Sequence, residues 1–244
     1  MDAVGIIPAR YQSARFPGKP LADILGKTMI QRVYEQALKA VRLSRVIVAT
    51  DDERIYKEVK RFGGLVEMTS KDAANGTERL AEVAANLDCS LVVNIQGDEP
   101  LINPDVIDQL VDLMMENPGA PVGTLVKKIT SVDVLKNPNI PKVVLDKNKN
   151  ALYFSRSLIP FDRNETDLAV SLKNDNYYQH IGIYIYQKDF LLKFIQLPES
   201  QLEQIEKLEQ LRILENGFKI KTALTDRESI GVDVPEDLEQ GEYF

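Results

Sequence analysis

Two hydrophobic periods alternate along the first half of this chain. Val4-Gly5-Ile6-Ile7, Val46-Ile47-Val48-Ala49, Leu65 to Met68 and Leu91-Val92-Val93-Asn94-Ile95 are apolar runs too short for helices, and they read as buried strands. Between them apolar residues recur at helical spacing. Met29, Ile30, Val33, Tyr34, Ala37, Leu38 and Val41 mark a first helix, with Thr28 and Gln31 as a capping box. A second helix starts at Asp51 or Asp52 and runs to Phe62, where Gly63-Gly64 stops it. Leu80, Val83, Ala84 and Leu87 form the inner face of a third, and a fourth from Pro104 to about Asn117 buries Val106, Ile107, Leu110, Val111 and Met114. Strand and helix in strict alternation predict an α/β fold, a mostly parallel doubly wound sheet with helices on both faces.

From Val122 the alternation breaks down. Val122 to Val126, Lys142 to Leu145, Ala151 to Phe154 and His180 to Tyr186 all read as strands, with acidic and Asn-rich loops between them. Such a β-rich excursion, about residues 127–186, is either an antiparallel edge of the main sheet or an arm reaching toward a second subunit. A helix from Leu202 to Glu215, ended by Gly217, and a strand from Lys219 to Ala223 restore the pattern, and Pro235 suits the first turn of a last helix. No repeat or low-complexity linker divides the chain, and its 244 residues are compatible with a single domain.

Composition narrows the chemistry. A net charge of −7 argues against nucleic acid as the main partner. No apolar run approaches the roughly 20 residues of a membrane span, and Met1-Asp2-Ala3 leading into a strand does not resemble a signal peptide, so no membrane insertion and a cytoplasmic location are expected. The single cysteine, Cys89, reads as a small core residue and cannot form an intrachain disulfide. With one histidine, His180, neither a His-rich zinc site nor HExxH is available, and GxSxG is missing.

The most informative stretch is Val4 to Pro20. After its strand the chain enters a loop carrying Arg10, Arg15 and Lys19, with Pro17, Gly18 and Pro20 limiting the backbone. Open α/β sheets bind ligands beyond the carboxyl ends of their strands, so three cations there suggest a phosphate site. The loop has neither GxxxxGK[ST] nor GxGxxG. Asp98 ends an apolar strand, and Asp233 lies between two valines far along the chain. Spacing alone leaves two readings open: a turn residue and a helix cap, or two carboxylates for a hard cation such as Mg²⁺, which needs only one or two of them plus substrate phosphates.

The string IIPARYQSARFPGKPLADILGKTMIQRVYEQA, with VIVATDDERI, GTERLAEV, VVNIQGDEPLI, PKVVLD, ALYFSRSLIPFDR, HIGIYIY, LEQIEKLEQLRILENG and GVDVPEDLE in order, resembles the 3-deoxy-manno-octulosonate cytidylyltransferases, or CMP-Kdo synthetases, nearly from end to end. The resemblance implies a nucleotide-sugar transferase type of fold, a homodimer, and the joining of CTP to an eight-carbon sugar acid for lipopolysaccharide synthesis. It implies Arg10 and Lys19 as triphosphate contacts with Arg15 nearby, Asp98 and Asp233 as Mg²⁺ ligands, and Pro8, Ala9, Gly76 and Arg79 near the nucleotide. Gln96, Arg156, His180, Tyr184, Glu209 and Gln210 would line the sugar side. Without it, Arg156 reads equally as an ion-pair member, Tyr184 as core, His180 as a strand-end histidine, and Glu209 and Gln210 as solvated helix positions.

One departure bears on the substrate. The family commonly shows DHxSGT before GTER, whereas this chain has Asp72-Ala73-Ala74-Asn75-Gly76-Thr77, which resembles the loop of relatives acting on the 8-amino analogue of the sugar. That analogue, another sugar acid such as a nine-carbon sialic type, and a non-catalytic nucleotide-binding regulator are the alternatives.

Overall fold

The computed structural model describes residues 1–12, 16–73, 75–174, 176–227, 231–232 and 234–238. The first strand, β1 (Ala3–Ala9), is buried almost throughout. After a 3₁₀ turn at Lys19–Leu21, a small hairpin of β2 (Asp23–Ile24) and β3 (Lys27–Thr28) leads into α1 (Met29–Ala37). The expected capping box does not form. Thr28 caps nothing with its side chain, and its hydroxyl donates instead to Glu58 Oε1 at 2.8 Å, tying α1 to the next helix. There follow β4 (Arg45–Thr50), α2 (Glu53–Arg61), β5 (Val66–Met68), α3 (Gly76–Ala85), β6 (Leu91–Asn94) and α4 (Pro104–Glu116). Asp52, Asn75 and Asn103 each accept a main-chain N–H at the start of the following helix, satisfying donors that the first turn leaves open.

The β-rich segment comprises β7 (Val122–Lys128), α5 (Val132–Lys136), β8 (Lys142–Leu145), β9 (Ala151–Ser155), α6 (Leu168–Ser171) and β10 (Tyr178–Gln187). The chain then runs through α7 (Lys188–Phe194), α8 (Gln201–Glu206), α9 (Gln210–Glu215) and β11 (Ile220–Leu224) to a 3₁₀ turn at Pro235–Leu238. The helix expected from Leu202 to Glu215 is thus two helices. Lys207 takes the left-handed conformation at φ 54°, and the chain turns there without a glycine.

Among the described residues a nine-stranded sheet runs in the order β11-β7-β10-β6-β1-β4-β5, with β8 attached to β10 and β9 to β8. β6, β1, β4 and β5 are parallel, as the alternation predicts. The antiparallel strand lies inside the sheet: β10 pairs β6 on one side and β7 on the other. Its register slips between Ile181 and Tyr184, a bulge centred on Gly182. Helices cover both faces, α1, α2 and α4 against Ile7, Val48 and Val93, and α3, α7 and α9 against Ile6, Ile47 and Val92. This double cover explains why the strands read as continuous apolar runs.

Leu80, fully buried on α3 beneath β1, has one face of this core around it. Leu80→Ala should cost about 2–5 kcal/mol of stability with an unchanged denaturant slope, read from urea unfolding.

Candidate active site

β1 and β6 run side by side in parallel, and the loop leaving β6 folds onto β1 at Pro8. A Cβ on Gly97 would lie 2.8 Å from the Pro8 carbonyl oxygen, so the loop after β6 approaches β1 more closely than a side chain allows. From the other flank Gly76, the first residue of α3, packs on the Pro8 ring. Across this junction the Lys19 ammonium donates to Asp98 Oδ2 at 2.7 Å, the two side chains being 12% and 35% exposed. Pro8, Ala9, Arg10, Lys19, Gln96 and Asp98 therefore line one cavity of about 170 Å³, together with Gln12 and Gly97.

Gly18, at φ 78°, makes the turn that brings Lys19 there, and its N–H donates to the Tyr11 carbonyl at 2.8 Å. The Tyr11 ring lies under the Arg54 guanidinium, 3.2 Å from its centroid, and Asp52 grips the same arginine at 2.7 Å. A second cavity of about 580 Å³ adjoins the first through Arg10 and Gln12, and Asp51, Arg54 and Lys71 face it. Arg10 crosses it to donate to the Ala73 carbonyl at 3.1 Å.

Arg15 and Asp233 lie outside the described residues. The neighbour of Asp233 is placed: the Val232 N–H donates to the Asp98 carbonyl at 2.9 Å, bringing that far segment of chain against the loop after β6. Arg79 is not on the cleft surface. It is fully buried, paired with Asp51 at 2.9 Å and donating to the Thr69 hydroxyl, and so braces the wall behind Arg10.

The other half of the site is polar and mostly uncharged. Gln96 Nε2 donates to the Gly182 carbonyl at 2.9 Å, linking the cavity to the bulge of β10. There the His180 ring packs edge-on against Phe154 and leans on Tyr184, which stacks on Tyr186. The Thr124 hydroxyl gives its one proton to the Ile183 carbonyl at 2.7 Å, so His180 Nε2, 3.0 Å away, is the donor to it, which fixes the neutral tautomer with Nδ1 as an acceptor. Burial pushes this imidazole down to about 3. It pushes the Tyr184 phenol well up, and it raises the Glu209 carboxyl against the pull of the Thr77 hydroxyl, 2.7 Å away. Tyr184 Oη and Gln210 Nε2 are buried without a hydrogen-bond partner among the described residues.

Arg156 is placed differently from the sequence reading of an ion-pair member: it spends three of its five N–H donors on the carbonyls of Glu206, Pro138 and Lys207. Sequence reasoning missed Asn94, whose buried Oδ1 is also unpartnered beside Tyr184 in register. A lone amide inside Leu-Val-Val-Asn-Ile was the available signal. It also missed Thr77 and the Arg54–Tyr11 stack, whose partners are set only by the tertiary fold.

The cytidylyltransferase family model matches residues 4–221. A 3-deoxy-manno-octulosonate cytidylyltransferase of Syntrophotalea carbinolica is 55% identical over 240 residues, 98% of this chain and 96% of the relative. One from Geobacter sulfurreducens is 50% identical over 247 residues, 98% of each. The solved structure of a CMP:2-keto-3-deoxy-manno-octonic acid synthetase complexed with CTP superposes with a TM-score of 0.92 at 45% identity, covering 99% of this chain and 97% of that one.

His180 is the only histidine, so its titration is directly visible. Its ring proton resonance should not shift between about pH 8 and pH 5. Unfolded, the imidazole protonates near 6.5, and folded near 3, so the unfolded chain binds the extra proton between them. Stability should therefore fall as pH drops through that window, by up to about 1.4 kcal/mol per pH unit, and urea midpoints of His180→Gln should show a shallower fall.

Proposed function

We propose that this chain, which belongs to the cytidylyltransferase family, transfers the CMP moiety of CTP to the anomeric hydroxyl of 3-deoxy-manno-octulosonate and releases pyrophosphate. The observation that carries this reading is the Lys19–Asp98 pair at 2.7 Å. A triphosphate drawn to Lys19 necessarily lies beside a carboxylate suited to a metal.

Mg²⁺ fits the donors present. Asp98 offers a carboxylate at the cavity, and the Val232–Asp98 hydrogen bond brings the residue next to Asp233 against it. Among the described residues no group of three or more His, Cys, Asp or Glu could hold a metal alone, and a Mg²⁺ site completed by phosphate oxygens needs no such group. Asp98 and Asp233 would hold the ion, which would offset charge on the α-phosphate and lower the pKa of the attacking hydroxyl.

The protein's own groups do the positioning. Lys19 and Arg10, with Arg15, hold the leaving pyrophosphate, and Pro8, Ala9 and Gly76 frame the nucleotide. Gln96, His180, Tyr184, Glu209 and Gln210 orient the sugar hydroxyls, while Arg156 keeps two N–H donors for its carboxylate. No nucleophilic side chain is required, because catalysis is alignment plus charge neutralisation.

This reading makes the whole chain one catalytic domain acting in the cytoplasm, in lipopolysaccharide synthesis. Among the described residues no helix is long and apolar enough to cross a membrane. It also includes a homodimer built on the β8–β9 arm; Leu152 on β9, Phe161 in the loop that follows it and Ile205 on α8 expose 60%, 83% and 77% of their surface. Light scattering at micromolar concentration should give twice the chain mass, and a monomer mass overturns the dimer.

The test of the reaction is pyrophosphate release from CTP with 3-deoxy-manno-octulosonate, the 8-amino analogue competing at limiting enzyme. Release without product, or with neither sugar, removes the reading. Asp98→Asn should keep the fold and lower kcat by at least about 10²-fold, whereas a near-wild-type rate at saturating Mg²⁺ would refute the metal assignment. Lys19→Ala should raise the KM for CTP about tenfold or more, and an unchanged KM and rate would refute its role.

A further inference from the structure

Fifty residues after Arg156, at the last position of α8, Glu206 and that arginine grip each other. The Glu206 carboxylate accepts the Ser155 hydroxyl at 2.6 Å and the Arg156 main-chain N–H at 2.9 Å. The Ser155 oxygen in turn accepts the Ser157 N–H at 3.0 Å, so the carboxylate fixes the exit from β9. In the opposite direction the Arg156 guanidinium donates to the main-chain carbonyls of Glu206 at 2.7 Å and Lys207 at 3.3 Å. Each residue thus holds the backbone of the other.

The turn so held leads directly to the sugar half of the site. Lys207 is the left-handed residue between α8 and α9, and Glu209 and Gln210 follow it. Glu209 reaches Thr77 at 2.7 Å, and Gln210 is buried with an unpartnered amide nitrogen. A shift of this turn moves both, while the cavity formed by Pro8, Lys19 and Asp98 belongs to other loops.

Charge ties the clamp together. The Lys142 ammonium is wholly buried, held by the Asn137 and Ile140 carbonyls at 2.8 Å each. Burial and the Arg156 charge lower its pKa, and Glu206 is the anion that opposes them. Removing that anion leaves two cations facing each other, which costs both their placement and their solvation.

We propose that Glu206 is a positioning residue for the sugar-acid half of the site, acting through Arg156 and the 207–210 turn and leaving nucleotide binding untouched. This rests on the reading of the reaction given above. The experiment measures steady-state kinetics for Glu206→Gln and Ser155→Ala beside wild-type enzyme, with CTP and 3-deoxy-manno-octulosonate varied separately. Glu206→Gln should raise the sugar KM at least about tenfold, while the KM for CTP stays within about twofold. Ser155→Ala, which removes one hydrogen bond and no charge, should show the same split at about threefold, and it decides the matter if Glu206→Gln does not fold. An unchanged sugar KM, or sugar and CTP constants rising together as in a merely destabilised protein, overturns the proposal. A wild-type enzyme without turnover overturns the reading of the reaction instead.

Discussion

Everything at this site depends on how closely two loops are allowed to approach over Pro8. β1 pairs in parallel with β6 and continues past the end of β6 at Asn94, and the missing side chain of Gly97 lets the loop after β6 settle on the Pro8 carbonyl. Only at that distance does the Lys19 ammonium reach Asp98. The cation and carboxylate neutralise each other in a partly dehydrated cleft, so neither is left as an isolated charge, a state that burial penalises heavily. A phosphate arriving at Lys19 exchanges one anionic partner for another, and a cation arriving at Asp98 does the converse. The cleft therefore holds a cation and a carboxylate side by side, each able to exchange its partner.

Much of this was legible in the sequence because it is local. The short apolar runs that became β1, β4 and β6 are buried on both faces, and the loop with Arg10 and Lys19 follows β1 as open α/β sheets lead one to expect. Features fixed by distant partners were not legible. The strand from His180 to Tyr186 was recognisable, but its place between β6 and β7 is decided by pairing with Val122–Lys128 and Leu91–Asn94, far back along the chain. The break between α8 and α9 was hidden because Lys207, not glycine, takes the left-handed turn. Arg79 and Arg156 look like available cations in one dimension, yet their guanidinium groups are engaged by Asp51 and by main-chain carbonyls. Family resemblance supplied the roles of Glu209 and Gln210, whose periodicity alone suggests a solvated helix face.

The two halves of the cleft use opposite electrostatics. Around the cavity at Pro8 the structure keeps fixed charges, Arg10, Lys19 and Asp98, at a partly exposed surface. Toward β10 it favours neutral groups: burial drives His180 to the free imidazole, keeps the Tyr184 phenol protonated and shifts Glu209 toward its acid form. The difference is caused by packing, since a row of aromatic rings runs from His180 to Phe194 on that side. A wall of neutral donors and acceptors can pair with hydroxyl groups without adding charge to the cleft.

Such a wall also selects. The Tyr184 hydroxyl, the Gln210 amide nitrogen and the Asn94 amide oxygen are buried with no partner among the described residues, and each costs free energy until something pairs with it. A guest that supplies matching hydroxyls recovers that cost, whereas one lacking them leaves the groups desolvated and unpaired, a penalty larger than a lost contact in an apolar pocket. Unpaired atoms of this kind would make the wall selective for a guest that carries hydroxyls. Their placement depends on the segments bearing them, on the register shift of β10 for Tyr184 and on the turn at Lys207 for Gln210. The irregular points of the fold, not its regular strands, fix where these groups stand.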